Sequence, residues 1–176
     1  MTAAETSGRH CGACTACCDG WLKITVYRHA VYPGKPCPFS SGHHCTIYET
    51  RPEDPCRAFV CGWLARGSPL PEWMRPNRAR VILLAASFTW RGLSVDVAVP
   101  VGEGAKPEAL EWLTAFATTS GRPLLYRDRG GVVGFRPTRF SNRNARAHQP
   151  RRAALGLSLY VKALTSLSEI LQPPRS

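Results

Sequence analysis

Apolar and polar positions alternate in the middle of the chain, in the pattern typical of β-strands. Residues 82–90 carry an apolar side chain at every second position, and a second alternating run occupies residues 93–99, after Arg91 and Gly92. Because successive side chains of a strand point to opposite faces, a two-residue turn here brings both apolar sets onto one face. The pattern therefore predicts a β-hairpin. The predicted cross-strand partners are Trp90 with Leu93, Phe88 with Val95, and Ala86 with Val97.

Two further elements are predicted after this hairpin. Pro107–Thr118 has apolar side chains at helical spacing, begins with a proline suited to the first helical turn, and is followed by Gly121, a residue type common after helix ends. Short apolar runs at Leu124–Tyr126 and Val132–Phe135, separated by a charged and Gly-rich turn, predict a second hairpin. Together these patterns predict a small unit of hairpins and a helix.

The C-terminal part of the chain predicts a basic loop and a second helix. The loop spans 137–152, and the seven arginines from Arg129 to Arg152 have no carboxylate between them. Leu157–Leu171 then follows the 3.6-residue period until a proline pair ends it. Residues 67–176 hold 16 Lys and Arg against 7 Asp and Glu, so this stretch suits an acidic protein partner. Nucleic acid is a less favoured partner, because no docking motif accompanies the charge.

Neither the two-residue period of a strand nor the 3.6-residue period of a helix is sustained in the first third of the chain. Residues 1–66 are rich in cysteine, glycine and proline, and only Trp21–Tyr27 alternates as a strand would. Several prolines mark residues 67–78 as a linker, so we expect two units, 1–66 and 79–176. The first unit has too few apolar residues for a core of its own and needs another centre around which to fold.

All eight cysteines belong to this first unit, between Cys11 and Cys61. Such a density is typical of secreted disulfide-bonded domains or of intracellular metal sites. The N-terminal residues contain no apolar stretch of a secretory signal, and no apolar run approaches the roughly 20 residues of a membrane span. We therefore expect a cytoplasmic protein without membrane segments. The predicted fold class is α+β, with an irregular, metal-nucleated, cysteine-rich module over 1–66 followed by a small unit of β-hairpins and two helices.

The spacing of the cysteines indicates how they could meet. Two-residue spacings in the run Cys11–Cys18 let successive thiolates turn onto one small centre, while longer loops separate the later cysteines. Eight thiolates suffice for two four-coordinate sites, one cubane cluster with spare cysteines, or a more crowded sulfur-rich centre. Because neighbouring side chains diverge, Cys17 and Cys18 need not bind the same metal. The candidate metal ligands are Cys11, Cys14, Cys17, Cys18, Cys37, Cys45, Cys56 and Cys61.

The sequence favours an iron–sulfur cluster over zinc as the cofactor. The CxxCxxC run that begins at Cys11 matches the first three ligands of a ferredoxin-type loop, whereas structural zinc sites more often use two separated knuckles. His43 and His44 directly precede Cys45 and could replace a thiolate. Since eight thiols already suffice for two sites, we expect both histidines at the surface.

The CxxCxxCC run and the later segment CTIYETRPEDPCRAFVCGWL, over Cys45–Leu64, resemble the YkgJ-type, or CxxCxxCC, cysteine-cluster family. Proteins of this family are described as zinc- or iron-chelating, and the resemblance covers roughly Cys11–Leu64. It implies that all eight cysteines are ligand candidates. The other residues that it assigns to the motif are Tyr48, Glu49, Arg51, Pro52, Arg57 and Phe59. We expect Tyr48, Arg51 and Arg57 to border the cofactor, because an arginine near thiolates donates hydrogen bonds to sulfur and offsets its charge.

Beyond metal binding, the sequence leaves three roles open. The leading hypothesis is an iron–sulfur or zinc protein with a redox, metal-handling or structural role. The same family includes a flagellin lysine N-methylase, so the resemblance implies a metal-cluster-dependent modifying enzyme as an alternative. The chain, however, has no Gly-rich nucleotide loop, GxSxG or HExxH motif to supply catalytic residues. The third role is a basic adaptor whose metal is only structural.

Overall fold

The computed structural model describes residues 8–128 and 131–135, and their fold is α+β as expected. The strands are β1 (Ile24–Val26), β2 (His29–Val31), β3 (Val81–Trp90), β4 (Leu93–Pro100), β5 (Leu124–Asp128) and β6 (Gly131–Phe135). The α-helices are α1 (Pro76–Ala79) and α2 (Pro107–Ser120), and shorter helical turns occupy Cys17–Trp21, Glu53–Arg57 and Glu72–Met74. The basic loop 137–152 and the helix expected at Leu157–Leu171 lie outside the described residues. Within the described residues, no helix combines the length and the apolar character that crossing a bilayer requires.

A four-stranded sheet with the order β3-β4-β5-β6 forms the second half of the fold. β3 pairs with β4, and β5 pairs with β6, in antiparallel hairpins that confirm the two predicted from the alternating pattern. β4 and β5 are parallel, and the chain crosses between them through α2. This helix begins at Pro107 and ends before Gly121, whose φ of 70° is left-handed and suits a residue without a Cβ. Its buried stripe consists of Ala109, Leu113 and Ala117.

The register of the first hairpin departs from the predicted one at a β-bulge. The two pairs nearest the turn are as predicted, but the expected pairing of Ala86 with Val97 is wrong, because Val97 lies opposite Leu84. Ala86 has a φ of 48°, and its N–H donates to Oδ1 of the buried Asp96 at 2.8 Å. Oδ2 of Asp96 forms an ion pair with Arg122 at 3.0 Å. An alternating pattern cannot reveal this bulge, since its position depends on a carboxylate of the partner strand.

The cysteine-rich segment and the sheet share one hydrophobic core. Cys61 and Trp63 are buried in the same cluster as Ile82 of β3. Leu70 and Met74, from the segment expected to be a linker, are buried there as well. The unit boundaries drawn from the sequence stay predictions, but the shared core places the cysteines directly beside the sheet.

β3 is the edge strand of the four-stranded sheet, and the cysteine-rich segment meets it there. The N–H of Gly62 donates to the carbonyl oxygen of Leu83 at 2.6 Å. A Cβ at Gly62 would lie 3.0 Å from the side chain of Leu83, which would have to shift by a few tenths of an ångström to accept it. The segment next to Cys61 is thereby attached to the sheet through its backbone.

The small sheet of β1 and β2 supports the rest of the cysteine-rich segment. β1 lies within the strand expected at Trp21–Tyr27. Val26 and Val31 are buried together with Cys37 in a second, smaller core. Apart from this hairpin and two helical turns, the segment is irregular, as its composition predicts.

Candidate metal centre

Hydrogen-bonded turns shape the CxxCxxCC loop. The N–H of Cys14 donates to the carbonyl oxygen of Cys11 at 2.8 Å. The N–H of Asp19 donates to the carbonyl oxygen of Thr15, also at 2.8 Å. The buried hydroxyl of Thr15 is 2.9 Å from Oδ2 of Asp19 and 3.2 Å from the carbonyl oxygen of Gly42. These contacts close the loop on itself and attach it to the segment that contains Gly42.

Gly20 allows this loop to lie against the turn that follows β2. Its φ is 92°, and a Cβ there would lie 2.3 Å from the carbonyl oxygen of Tyr32. That carbonyl is held in place because it accepts a hydrogen bond from the N–H of Lys35 at 2.8 Å. Just beyond the turn, the N–H of Cys37 donates to the carbonyl oxygen of Cys18 at 2.7 Å. The close approach at Gly20 therefore places Cys37 beside the loop.

Replacing Gly20 with alanine should disrupt this arrangement. We expect Gly20→Ala to lower the free energy of unfolding by about 2 kcal/mol or more, because it adds both left-handed strain and a clash with a backbone carbonyl. Gly34→Ala is the matched control, since Gly34 has a φ of 90° but open space where its Cβ would lie. Urea denaturation measures both losses, and equal losses would show that the clash contributes nothing.

Seven of the eight cysteines line a single cavity of about 140 Å³. They are Cys11, Cys14, Cys17, Cys18, Cys45, Cys56 and Cys61. The eighth, Cys37, is buried in the smaller core, against which Cys18 and Cys56 pack. All eight are free thiols. The fold thus brings predicted ligands from distant parts of the segment to one place. Apolar residues complete much of the wall, namely Leu22, Ile24, Phe59, Trp63 and Leu64.

Burial keeps several of these thiols in their neutral form. It is the main cause of a raised pKa in Cys11, Cys17, Cys18, Cys56 and Cys61. Burial, followed by the charge of Cys37, raises the pKa of Cys18 from 9.0 to about 12. Because the thiolate is the form that binds metals, a metal must displace these protons.

The donor set suits a soft metal or a cluster. Thiolate sulfur is the preferred ligand of zinc, copper(I) and iron–sulfur centres. In the part of the chain that the structure describes, no group of three or more His, Cys, Asp or Glu side chains is already arranged to hold a metal ion. The fit to the predicted cofactor therefore rests on the chemistry of the donors and on the cavity that they share.

Tyr48 and Arg51, both expected to border the cofactor, lie in the wall of the cavity. That this cavity holds the cofactor stays a prediction. The guanidinium of Arg51 is 3.7 Å from the centroid of the Tyr48 ring, and its Nη1 donates to the Tyr48 carbonyl oxygen. Its positive charge lowers the pKa of Cys11 and Cys56, which burial raises. Arg51 is therefore placed where its charge favours the thiolate form.

Arg57 is exposed and lies outside the cavity wall. Its Nε donates to the carbonyl oxygen of Arg51 at 3.1 Å, and its Nη2 donates to that of Glu49. Arg57 thereby fixes the backbone of the loop that carries Arg51. A hydrogen bond from Arg57 to sulfur stays a prediction.

Arg75 is a neighbour of the CxxCxxCC loop that the sequence does not indicate. Its Nη2 donates to the carbonyl oxygen of Cys11 and, at 3.2 Å, to that of His10. Its charge lowers the pKa of Cys11, against the effect of burial, and its guanidinium lies 5.1 Å from the centroid of the Trp63 ring. Arg75 is 64 residues from Cys11 and belongs to no cysteine motif, so only the three-dimensional contact reveals it.

His43 and His44 lie at the surface, as expected from the number of thiols. Both are exposed, and neither belongs to the cavity wall. Nδ1 of His44 is 3.0 Å from the hydroxyl of Ser41, a contact within the same loop. Thiols are therefore the donors that this cavity offers.

Comparison of the chain with protein-family models, with curated proteins and with solved structures gave no match. The likeness to the YkgJ-type family therefore stays a prediction that rests on Cys11–Leu64. The fold and the site define a class, an α+β protein with a cysteine-lined cavity set beside its main sheet.

Proposed function

We propose that this protein binds a metal centre through its cysteine thiolates, as the likeness to the YkgJ-type family implies. The observation that carries the proposal is the convergence of seven free cysteines on one cavity. Cysteines that only fill a core have no reason to gather, because a free cysteine behaves there as a small apolar residue. A bound cation, by contrast, offsets the repulsion between neighbouring thiolates and the cost of ionising them in a buried place.

An iron–sulfur cluster is the cofactor that these features favour. The cavity of about 140 Å³ is close in volume to an engineered cavity of roughly 150 Å³ that holds benzene, so it can accept a group of several atoms. A single zinc ion needs only tetrahedral sulfur atoms around one point. The cluster, when bound, supplies electron transfer, whereas zinc in such a site supplies structural support. A redox role is therefore placed first, ahead of metal handling or structural support.

The residues around the thiols have separate tasks toward such a centre. Arg51 lies beside Cys11 and Cys56 and offsets their negative charge. Phe59 and Trp63 belong to the apolar part of the wall. Because charge, hydrogen bonding and access of water set the reduction potential of a sulfur-ligated centre, these side chains tune it without binding the metal.

The two alternatives from the sequence have requirements of their own. A modifying enzyme needs catalytic residues, and the sequence contains none of the motifs that would supply them. A basic adaptor depends on the loop 137–152, which lies outside the described residues. Both alternatives also require a bound metal. The predicted cytoplasmic location would keep the thiols reduced and so able to bind it. Metal analysis is therefore the first test of all three.

Elemental analysis and a visible absorption spectrum of the full chain, purified without oxygen, test the proposal. We expect iron and labile sulfide in stoichiometric amounts, with an absorption that bleaches on reduction. A finding of zinc alone would mean that the centre is a structural zinc site and not an iron–sulfur cluster. Absence of iron and zinc, from protein whose thiols react as free cysteines, would refute metal binding.

A further inference from the structure

Cys17 and Cys18 are adjacent in the sequence but belong to different groups of packed side chains. Cys17 and Cys14 pack against the main hydrophobic core, in which Cys61 is buried. Cys18 packs instead against the smaller core that contains Cys37. Because neighbouring side chains point in different directions, the peptide between Cys17 and Cys18 is the border between two groups of thiols.

A hydrogen-bonded turn places Cys11 with the first group, since the N–H of Cys14 donates to the carbonyl oxygen of Cys11 at 2.8 Å.

Backbone contacts assemble the group around Cys18. The N–H of Cys37 donates to the carbonyl oxygen of Cys18 at 2.7 Å. The N–H of Ser40 donates to the carbonyl oxygen of Cys37 at 3.0 Å, and Ser40 forms an antiparallel bridge with Cys45. The chain between Cys37 and Cys45 therefore folds back and brings both cysteines toward Cys18.

We infer that the eight cysteines form two adjacent four-thiolate sites rather than one centre with spare ligands. Packing assigns Cys14, Cys17 and Cys61 to the first site and Cys18, Cys37 and Cys56 to the second. The turn between Cys11 and Cys14 adds Cys11 to the first, and the bridge between Ser40 and Cys45 adds Cys45 to the second. Each set contains the four thiolates that a zinc ion or an iron–sulfur cluster takes, and binding would draw them together, since none of the described residues is already arranged in such a group. The inference rests on the proposed function and adds the number of centres and their ligands. It also gives Cys37 a role, although this residue is not in the cavity wall.

Paired serine substitutions in the full chain distinguish two sites from one. We choose the half-buried cysteines Cys11 and Cys14 from the first site and Cys45 and Cys56 from the second, so that the buried Cys37 and Cys61 are spared. The doubles C11S/C14S and C45S/C56S should each retain about half of the wild-type metal, because the second substitution falls on a site already lost. The cross-site double C14S/C45S should retain less than about a tenth. Equal losses in all three doubles would overturn the inference, since one shared centre predicts that result.

His43→Ser is the matched control for these variants. His43 is exposed, precedes Cys45 by two residues and lies outside the cavity wall. This variant should keep the wild-type metal content. A loss of metal in it would mean that an imidazole is a ligand, and the assignment of four thiolates to the second site would fall.

Titration of the reduced wild-type chain with Co²⁺ gives a second measurement that needs no variant. The thiolate-to-cobalt absorption should saturate at about two equivalents per chain, with a tetrahedral spectrum throughout. Saturation at one equivalent, or at three or more, would overturn the two-site inference and leave the proposed function standing. Failure to take up cobalt, iron or zinc would refute the proposed function itself.

Discussion

Acid should release the proposed metal from the loaded protein and destabilise its cysteine-rich segment. In the proposed function the metal is held by thiolates, so protons would compete with it as the pH falls, and the affinity would decrease with each ligand that must be protonated. Bound metal contributes about 10–16 kcal/mol in small zinc domains, as much as the whole stability of a typical domain. We therefore expect the loss of metal in acid to coincide with a large fall in the stability of this segment.

The metal-free protein should show the opposite dependence on pH. Burial raises the pKa of five thiols in the folded chain above 9.0, so the folded state holds these protons more tightly than the unfolded state. The resulting stabilisation is fully present below pH 9.0 and is lost as the pH rises toward the raised values, about 12 for Cys18. Melting followed by circular dichroism, with and without metal, measures both trends. A metal-free protein whose melting temperature is higher above pH 9.0 than below it would contradict the second trend.

Truncation of Asp96 should destabilise the sheet strongly. Asp96 is 1% exposed, its Oδ1 accepts the N–H of Ala86 at 2.8 Å, and its Oδ2 lies 3.0 Å from Nη2 of Arg122. Asp96→Ala leaves the bulge donor and the guanidinium without this carboxylate. The Arg122 side chain is 35% exposed, so water partly solvates the cation that remains. We therefore expect a loss of about 2–3 kcal/mol in the free energy of unfolding, below the roughly 3–5 kcal/mol of a fully buried pair.

Two further variants separate the contributions of Asp96. Asp96→Asn keeps an oxygen for the N–H of Ala86 but removes the charge, so its loss should be smaller than that of Asp96→Ala. Glu103→Ala removes an exposed ion pair of similar length, 3.1 Å to Arg80, with the Glu103 side chain 92% exposed. It should cost about 1 kcal/mol or less. Urea denaturation at constant metal content compares them, and similar losses in Asp96→Ala and Glu103→Ala would contradict the prediction.

The elements with a regular period were predictable from the sequence, and their irregularities were not. Alternation gives the first hairpin and its register next to the turn, because a two-residue turn leaves little freedom there. Beyond Phe88 the register depends on the bulge at Ala86, which follows from the buried Asp96 of the neighbouring strand. The parallel pairing of β4 with β5 is also a non-local choice that no short pattern records.

The candidate site shows the same division between local and non-local information. Residue type and spacing identify the cysteines, and the resemblance to the YkgJ-type family adds Tyr48 and Arg51. The structure places all of these residues except Cys37 in one wall. The contact of Arg75 with Cys11 joins residues 64 positions apart and has no local signal. Adjacency predicts that Cys17 and Cys18 diverge, but only the fold shows which thiols each of them meets.

The hydrogen bond between Gly62 and Leu83 links the state of the cysteines to the solubility of the chain. An edge strand with free N–H and C=O groups is a template for pairing with another molecule, and β3 is an edge strand whose residues Val81–Leu83 are strongly apolar. The folded cysteine-rich segment covers part of that edge through Gly62. When the segment unfolds, the edge becomes available to a second chain. If the proposed metal stabilises the segment, chains without it expose this edge more often and are more prone to self-association.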